Sequence, residues 1–270
     1  MRSKRVPPVP AVLLLVQRAV LHRWRATVED LYREVAALVE AAPKMEIVVS
    51  GCGDGETAEW LAEYTGASVT GVDADAERIS AAESRGREPG AQTLVHYEHA
   101  ELHDLPHETG VFDVAIGDPP VSASDDPERA VAELVRVVKP MGIVVLLQPT
   151  WTSEIAREAR EAIVDRLGLR PHLLVEWKQM MRDAGLVELQ VQDWTDGAPG
   201  GRASAPGAPH PHLTLRQKMH IMGRAWRRWG WREARGAVER ETSLIKELSR
   251  QRALGFTLLK GVKWPHAKGA

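Results

Sequence analysis

Six consecutive residues, Ser50-Gly51-Cys52-Gly53-Asp54-Gly55, have the composition of a ligand cradle. Glycine accepts positive φ and has no Cβ, so such a chain bends sharply and lets a ligand reach bare backbone. The apolar run Ile47-Val48-Val49 before it reads as a buried parallel strand. Glu56 to Tyr64 after it reads as a helix with Thr57, Ala58, Leu61 and Ala62 turned inward. Amides at the start of that helix attract an anionic or electron-rich group. The spacing narrows the ligand. A dinucleotide-binding turn has the pattern G-x-G-x-x-G, but here the third glycine comes one residue early, at Gly55. Glu56 stands where that pattern needs glycine, and its carboxylate would repel a pyrophosphate.

Acids end the neighbouring strands. Ala67 to Asp73 reads as a second strand. Asp73 at its tip, followed by Ala74, is placed to accept hydrogen bonds from both hydroxyls of a ribose, and charge assistance strengthens such bonds. Asp75 caps the helix that follows. Val111 to Ile116 reads as a fourth strand and runs into Gly117-Asp118-Pro119-Pro120. Ligands of open α/β sheets sit outside the carboxyl ends of strands, so Asp118 is the candidate catalytic residue facing that ligand. His96, His99, His103, His210, His212 and His220 are all candidate bases, and the sequence does not choose among them. No spacing of ligating residues makes a metal site.

These residues need elements to hold them. Thr27 to Ala42 has helical periodicity, with Leu31, Val35, Leu38 and Val39 in one stripe. Thr93 to Tyr97 reads as a third strand. Asp125 and Asp126 cap a helix that has Pro127 in its first turn, and Ile143 to Leu147 forms a fifth strand. Ser153 to Leu167 reads as a helix. Another starts at Pro171, with His172 beside its start and Trp177, Met180 and Met181 as core, and stops at Gly185. Leu186 to Trp194 alternates like a strand, and Phe256 to Val262 is the last. Between them, Gly197 to Pro211 is a linker, with eight of fifteen residues Gly or Pro. A helical segment to Arg252 follows, with eleven Lys or Arg against four Glu from Arg216 onward.

The whole chain sets bounds. Its 270 residues carry a net charge of −2, 44% hydrophobic and 27% charged residues, as in an ordinary soluble globular protein without a global field for nucleic acid. The single cysteine, Cys52, excludes an intrachain disulfide and suits a reducing compartment, so a cytoplasmic location is expected. A basic start and the apolar run Val9 to Val16 imitate a secretory leader. Pro7, Pro8 and Pro10 crowd that run and no A-x-A site follows, so Ala11 to Trp24 reads as an amphipathic helix packing on the domain.

Taken together, the G-x-G-x-G loop, the strand ending in Asp73, Ala100-Glu101-Leu102-His103-Asp104-Leu105-Pro106, Phe112-Asp113-Val114 and Arg136-Val137-Val138-Lys139-Pro140-Met141-Gly142 resemble, in order, the motifs of class I S-adenosylmethionine (SAM)-dependent methyltransferases of the type 11 group. The resemblance covers about residues 28 to 194 plus the last strand. It implies an α/β fold: a Rossmann-like seven-stranded, mostly parallel sheet flanked by helices. The domains would be an N-terminal cap (1–26), a SAM-binding core (27–194 plus 253–264) and a helical lid inserted before the last strand (195–252). It implies methyl transfer from SAM, with S-adenosylhomocysteine as product, to a small-molecule acceptor. Ser50, Gly51, Cys52, Gly53, Gly55, Asp73, Ala74, Glu101, Leu102 and Gly117 would contact the donor. Glu101 would accept from the adenine amino group, and Leu102 would supply a backbone amide to the ring. Three departures stand out. Met141 replaces a glycine. Val121 replaces the aromatic of a D/N-P-P-aromatic motif that holds amino-group acceptors. Val49 replaces the acid that lies near the donor's methionine amino group. Other readings stay open: a nucleic-acid or lipid-like acceptor engaged by the Arg/Trp segment around residues 224–235, with peripheral membrane contact in the lipid case, or a silent SAM-binding module. The oligomeric state is not set by the sequence.

Overall fold

The computed structural model describes residues 28–87, 94–118, 120–152, 160–161, 164, 170–194 and 253–265. The expected N-terminal helix, Gly/Pro linker and basic helical insertion, and most of the helix expected at 153–167, lie outside these described residues.

A parallel sheet begins with β1 (Glu46–Ser50), α2 (Glu56–Thr65) and β2 (Ser68–Asp73), preceded by α1 (Val28–Leu38). Then come α3 (Ala76–Gly86), β3 (Val95–His99), β4 (Phe112–Gly117), the single turn α4 (Pro120–Ala123), α5 (Pro127–Val137) and β5 (Val138–Trp151). The described chain closes with β6 (His172–Leu173), α6 (Leu174–Asp183), β7 (Leu186–Asp193) and β8 (Leu254–Lys263). The strand order is β3-β2-β1-β4-β5-β8-β7, with β6 paired to the end of β5. Strands β3 to β5 run parallel along that path, and β8 lies antiparallel between β5 and β7. β1 is followed by β2 on one side and flanked by β4 on the other. The winding therefore reverses at the β1/β4 seam, where such sheets open a crevice at the strand tips.

Strand alternation builds two cores. Ile47, Val49, Val114, Ile116, Val145 and Leu147 face one side, where they meet α1 through Leu31 and Val35 and α2 through Ala58 and Leu61. Val48, Ala115, Val144 and Leu146 face the other, against Leu134 of α5 and Trp177 and Met181 of α6. Both sides being covered explains why these parallel strands read as continuous apolar runs. Trp177 and Met181 are core residues, as their spacing implies.

The helix starts follow the expected chemistry. Asp75 accepts from the Glu77 and Arg78 amides at the start of α3. Asp126, not Asp125, caps α5 by accepting from Arg129 N–H, with Pro127 in the first turn, where its missing N–H costs nothing. Asp125 instead pairs with Arg170 at 3.5 Å.

Several boundaries differ from the sequence reading. The third strand continues to His99, because β2 offers a partner for each residue up to Asp73↔His99. The fifth strand runs from Val138 to Trp151, far beyond Ile143–Leu147, since β8 pairs it as far as Trp151↔Leu254. The segment Lys139-Pro140-Met141-Gly142 is an irregularity inside that strand. Val138 pairs with Phe112 and Ile143 with Val114, so the four residues between them loop out. Met141, at φ +66, sits in the left-handed region that glycine favours. Asp113 braces this loop, accepting from Lys139 Nζ and from Glu46 N–H, each at 2.8 Å.

The helix expected to begin at Pro171 begins at Leu174. His172 and Leu173 instead extend the sheet beside Thr150 and Trp151. Glu176 accepts from Leu173 N–H at 2.7 Å and so fixes the later helix start. His172 packs edge-on against Trp177, 4.9 Å between ring centroids. Burial holds its imidazole below the ordinary histidine pKa despite the nearby Glu176. The unfolded chain therefore binds the proton more readily, and stability falls as pH drops below about 6.5. His172→Phe should flatten that acid limb in thermal melts run from pH 8 to pH 5, while leaving the limb above pH 7 unchanged in slope.

Candidate functional site

The glycine loop leaves β1 with three residues in the left-handed region: Gly51 at φ +73, Gly53 at +62 and Gly55 at +86. Gly51 and Cys52 donate their amides to Val72 O, at 2.6 and 3.1 Å, which lays the loop across the tip of β2. Gly55 caps α2 with no side-chain hydrogen bond to the first-turn amides. Cys52 is buried and packs on Gly71, where an added Cβ would lie 2.9 Å from the thiol sulfur. The residue is there because it is small, and its burial argues against a nucleophile.

Asp73 anchors the loop from β2. It is 5% exposed, accepts from Gly53 N–H at 2.9 Å and from Asp75 N–H at 3.0 Å, and lies 3.9 Å from the Arg78 guanidinium. A carboxylate offers about four acceptor positions, and a diol is a donor set that it can bind. Ala74 is exposed beside it, and its carbonyl lies 3.1 Å from His99 Nε2.

The segment after β3 is tied to the same tip, because Ala100 N–H donates to Asp73 O at 3.2 Å. Glu101 is exposed, while Leu102 and Leu105 are buried in the second core. Two α5 residues, which the sequence reading did not assign to the site, hold the segment in place. Arg136 donates to Leu105 O and His107 O at 3.0 and 2.7 Å, and Glu133 accepts from Leu105 N–H at 3.0 Å. Their spacing of three on one helix face was the available signal. The hydrogen bond from Arg136 holds the Glu133 carboxyl below its ordinary pKa.

A second brace stands behind the loop. Arg85 of α3 donates to Asp54 O and pairs with Glu59 at 3.0 Å. Tyr97 of β3 donates to Glu59 at 3.1 Å and lies over Gly55. Burial, then Glu59, push the Tyr97 phenol well above its ordinary pKa, so it remains a neutral donor.

At β4, Ser50 donates its hydroxyl to Ile116 O at 3.3 Å, and Asp118 N–H continues the ladder to Ser50 O. Asp118 is 5% exposed. Gln148 of β5, fully buried, donates to Gly117 O at 2.8 Å and Asp118 O at 3.0 Å. Its own carbonyl accepts from Ser122 Oγ at 2.6 Å. Gly117 must be glycine, since a Cβ there would lie 2.6 Å from Leu146 and 2.9 Å from Leu134. Val121, at the aromatic's place, is buried in the second core. Thus Ser50, Gly51, Cys52, Gly53, Gly55, Asp73, Ala74 and Gly117 gather at adjoining strand tips, with Glu101 and Leu102 on the segment joined to them. His210, His212 and His220 lie outside the described residues.

The profile of the family described as "Methyltransferase domain" matches residues 48–146, from β1 to the middle of β5. Over these residues the chain is similar to that methyltransferase family. The chain is 25% identical over 164 residues to the sarcosine/dimethylglycine N-methyltransferase of Halorhodospira halochloris, over 59% of this chain and 58% of that one. The chain therefore spans less than two thirds of that relative's length. In fold it resembles a putative sarcosine dimethylglycine methyltransferase from Galdieria sulphuraria, with a TM-score of 0.71, 17% identity, and 87% and 85% of the two chains covered. It also resembles the Haemonchus contortus phosphoethanolamine N-methyltransferase 2 in complex with SAM. There the TM-score is 0.67 and the identity 15%, with 86% and 52% of the chains covered. The site's chemistry suits SAM. It brings helix amides without a side-chain cap and a buried carboxylate together at the strand-order reversal.

Proposed function

We propose that the protein transfers the methyl group of SAM to a small-molecule acceptor. The observation that carries this reading is the linkage of three strand-tip segments into one cradle. The loop amides hang from Val72 O and from Asp73, and the 100–107 segment hangs from Asp73 O. Asp73 would hold the ribose hydroxyls, and Glu101 and Leu102 would address adenine. Residues 50–55 would lie against the donor beside Ala74 and Gly117. When bound, SAM supplies an electrophilic methyl group on a sulfonium that leaves readily.

The chain's residues then have to align the partners and exclude water, which supply most of the acceleration of an in-line displacement. Asp118, buried at the β4 tip, would stand at the donor pocket. A base is required only for acceptors that lose a proton. Of the candidate bases named above, His99 and His103 are described and lie at or beyond the end of β3.

The likeness to enzymes named for sarcosine and dimethylglycine favours a small polar acceptor. Among the described residues no helix is long and apolar enough to cross a membrane. A cytoplasmic location remains the reading that the single cysteine favours. Incubation with SAM labelled at the methyl group and a panel of small amines, carboxylates and alcohols tests the proposal. Label should pass to a low-molecular-weight product, with one S-adenosylhomocysteine formed per methyl. Transfer to RNA, DNA or lipid instead would overturn it.

A further inference from the structure

Val49 is fully buried among Ile47, Ile116 and α2, so β1 sends no carboxylate toward the crevice on that face. The donor's methionine end nonetheless carries an ammonium, and a cation taken from water needs a nearby anion. We infer that Asp118 supplies this counter-charge, so that the acid has moved from β1 to β4.

The register supports the assignment. Val49 pairs with Ile116 and Ser50 with Gly117, and the ladder continues through Asp118 N–H to Ser50 O. Asp118 thus falls opposite Gly51. By strand alternation it shares the sheet face of Ile116 and Val49, about 7 Å nearer the strand tips. The residue opposite is Gly51, so β1 places no side chain opposite Asp118. The Cβ position of Gly117, against Leu134, Leu146 and Val121, marks the other face and so agrees with this alternation.

Two features make the position durable. Asp118 is 5% exposed, so its charge acts in a medium of low dielectric, where an ion pair is stronger than at the surface. Gln148 occupies the carbonyls of both Gly117 and Asp118 and locks them to Ser122. Gln148 is a positioning residue that fixes the backbone from which the carboxylate projects.

The inference rests on the SAM reading, and its test separates the two. S-adenosylhomocysteine and 5′-methylthioadenosine share the adenosine and the thioether, but only the first carries the amino acid. Calorimetric titration of the full chain with both ligands isolates the methionine end. Asp118→Asn should weaken S-adenosylhomocysteine by roughly 10- to 100-fold, the range for one charge-assisted hydrogen bond. It should leave 5′-methylthioadenosine within about twofold. Asp118→Ser should repeat the pattern with a smaller side chain. Asp73→Ala should weaken both ligands alike. Retained binding of 5′-methylthioadenosine certifies a folded pocket in each variant. Equal losses for both ligands in the Asp118 variants, or no loss for either, would overturn the inference while leaving the SAM reading standing. Failure of the wild type to bind either ligand would overturn both.

Discussion

Asp73→Ala is expected to lower the affinity for S-adenosylhomocysteine by about two to four orders of magnitude. Two contributions combine. A ribose diol donating to an ionised, buried carboxylate makes two charge-assisted hydrogen bonds, each worth about 1.5–3 kcal/mol. The same carboxylate accepts from Gly53 N–H and Asp75 N–H, so its removal also frees the middle of the glycine loop and the entry to α3. Asp73→Asn separates the two. Its amide oxygen can still accept from one of the two backbone amides, so much of the loop's shape should survive while the charge is lost. Calorimetry should place Asn between wild type and Ala. Equal affinity in all three would contradict a role for Asp73 in binding.

Gly55→Ala should have the second-largest effect, on stability as well as on binding. At φ +86 a residue with a Cβ pays about 1–2 kcal/mol. The new methyl would also collide with the Tyr97 hydroxyl and lie 2.6 Å from its ring carbon Cζ. Overpacking of this kind costs about 1–3 kcal/mol. The sum, about 2–5 kcal/mol, should appear as a clear fall in denaturant midpoint with little change in slope. Tyr97 cannot swing away freely, because Glu59 holds its hydroxyl and Arg85 holds Glu59. Tyr97→Ala in the Gly55→Ala background should recover the steric part and leave the backbone part. A double-mutant cycle reads the difference, and additivity would contradict the contact.

The local signals in the sequence were strong where backbone chemistry dictates structure. Strand, G-x-G-x-G loop and α2 stand where the periodicity and the glycines place them. Asp75 and Asp126 cap as their types imply, because short polar side chains reach orphan amides only from such positions. Long-range pairing was not legible in the same way. The Lys139-Pro140-Met141-Gly142 segment looks like a turn that precedes a strand. It is a loop within one, because β4 supplies partners on both sides of it. Pro171 looks like a helix start, yet the open edge of β5 captures His172 and Leu173 first.

The candidate site divides along the same line. Residues proposed to touch a ligand through fixed spacing, such as Gly51, Gly53, Gly55 and Asp73, could be named in advance. Those that brace them could not. Tyr97 and Glu59 meet across 38 positions, Arg85 and Asp54 across 31, and Gln148 and Asp118 across 30. No local pattern encodes such meetings, since the sheet order creates them. The Val49 departure was visible in the sequence, but its compensation by a neighbouring strand needed the Ser50↔Gly117 register.

The central claim is that the strand tips of β1, β2 and β4, with the segment after β3, form a SAM pocket. Calorimetric titration of the wild-type chain with SAM and with S-adenosylhomocysteine tests it most directly. Saturable one-to-one binding of each is expected, with either ligand displacing the other. Absence of heat and of any thermal stabilisation with both ligands at saturating concentration would contradict it.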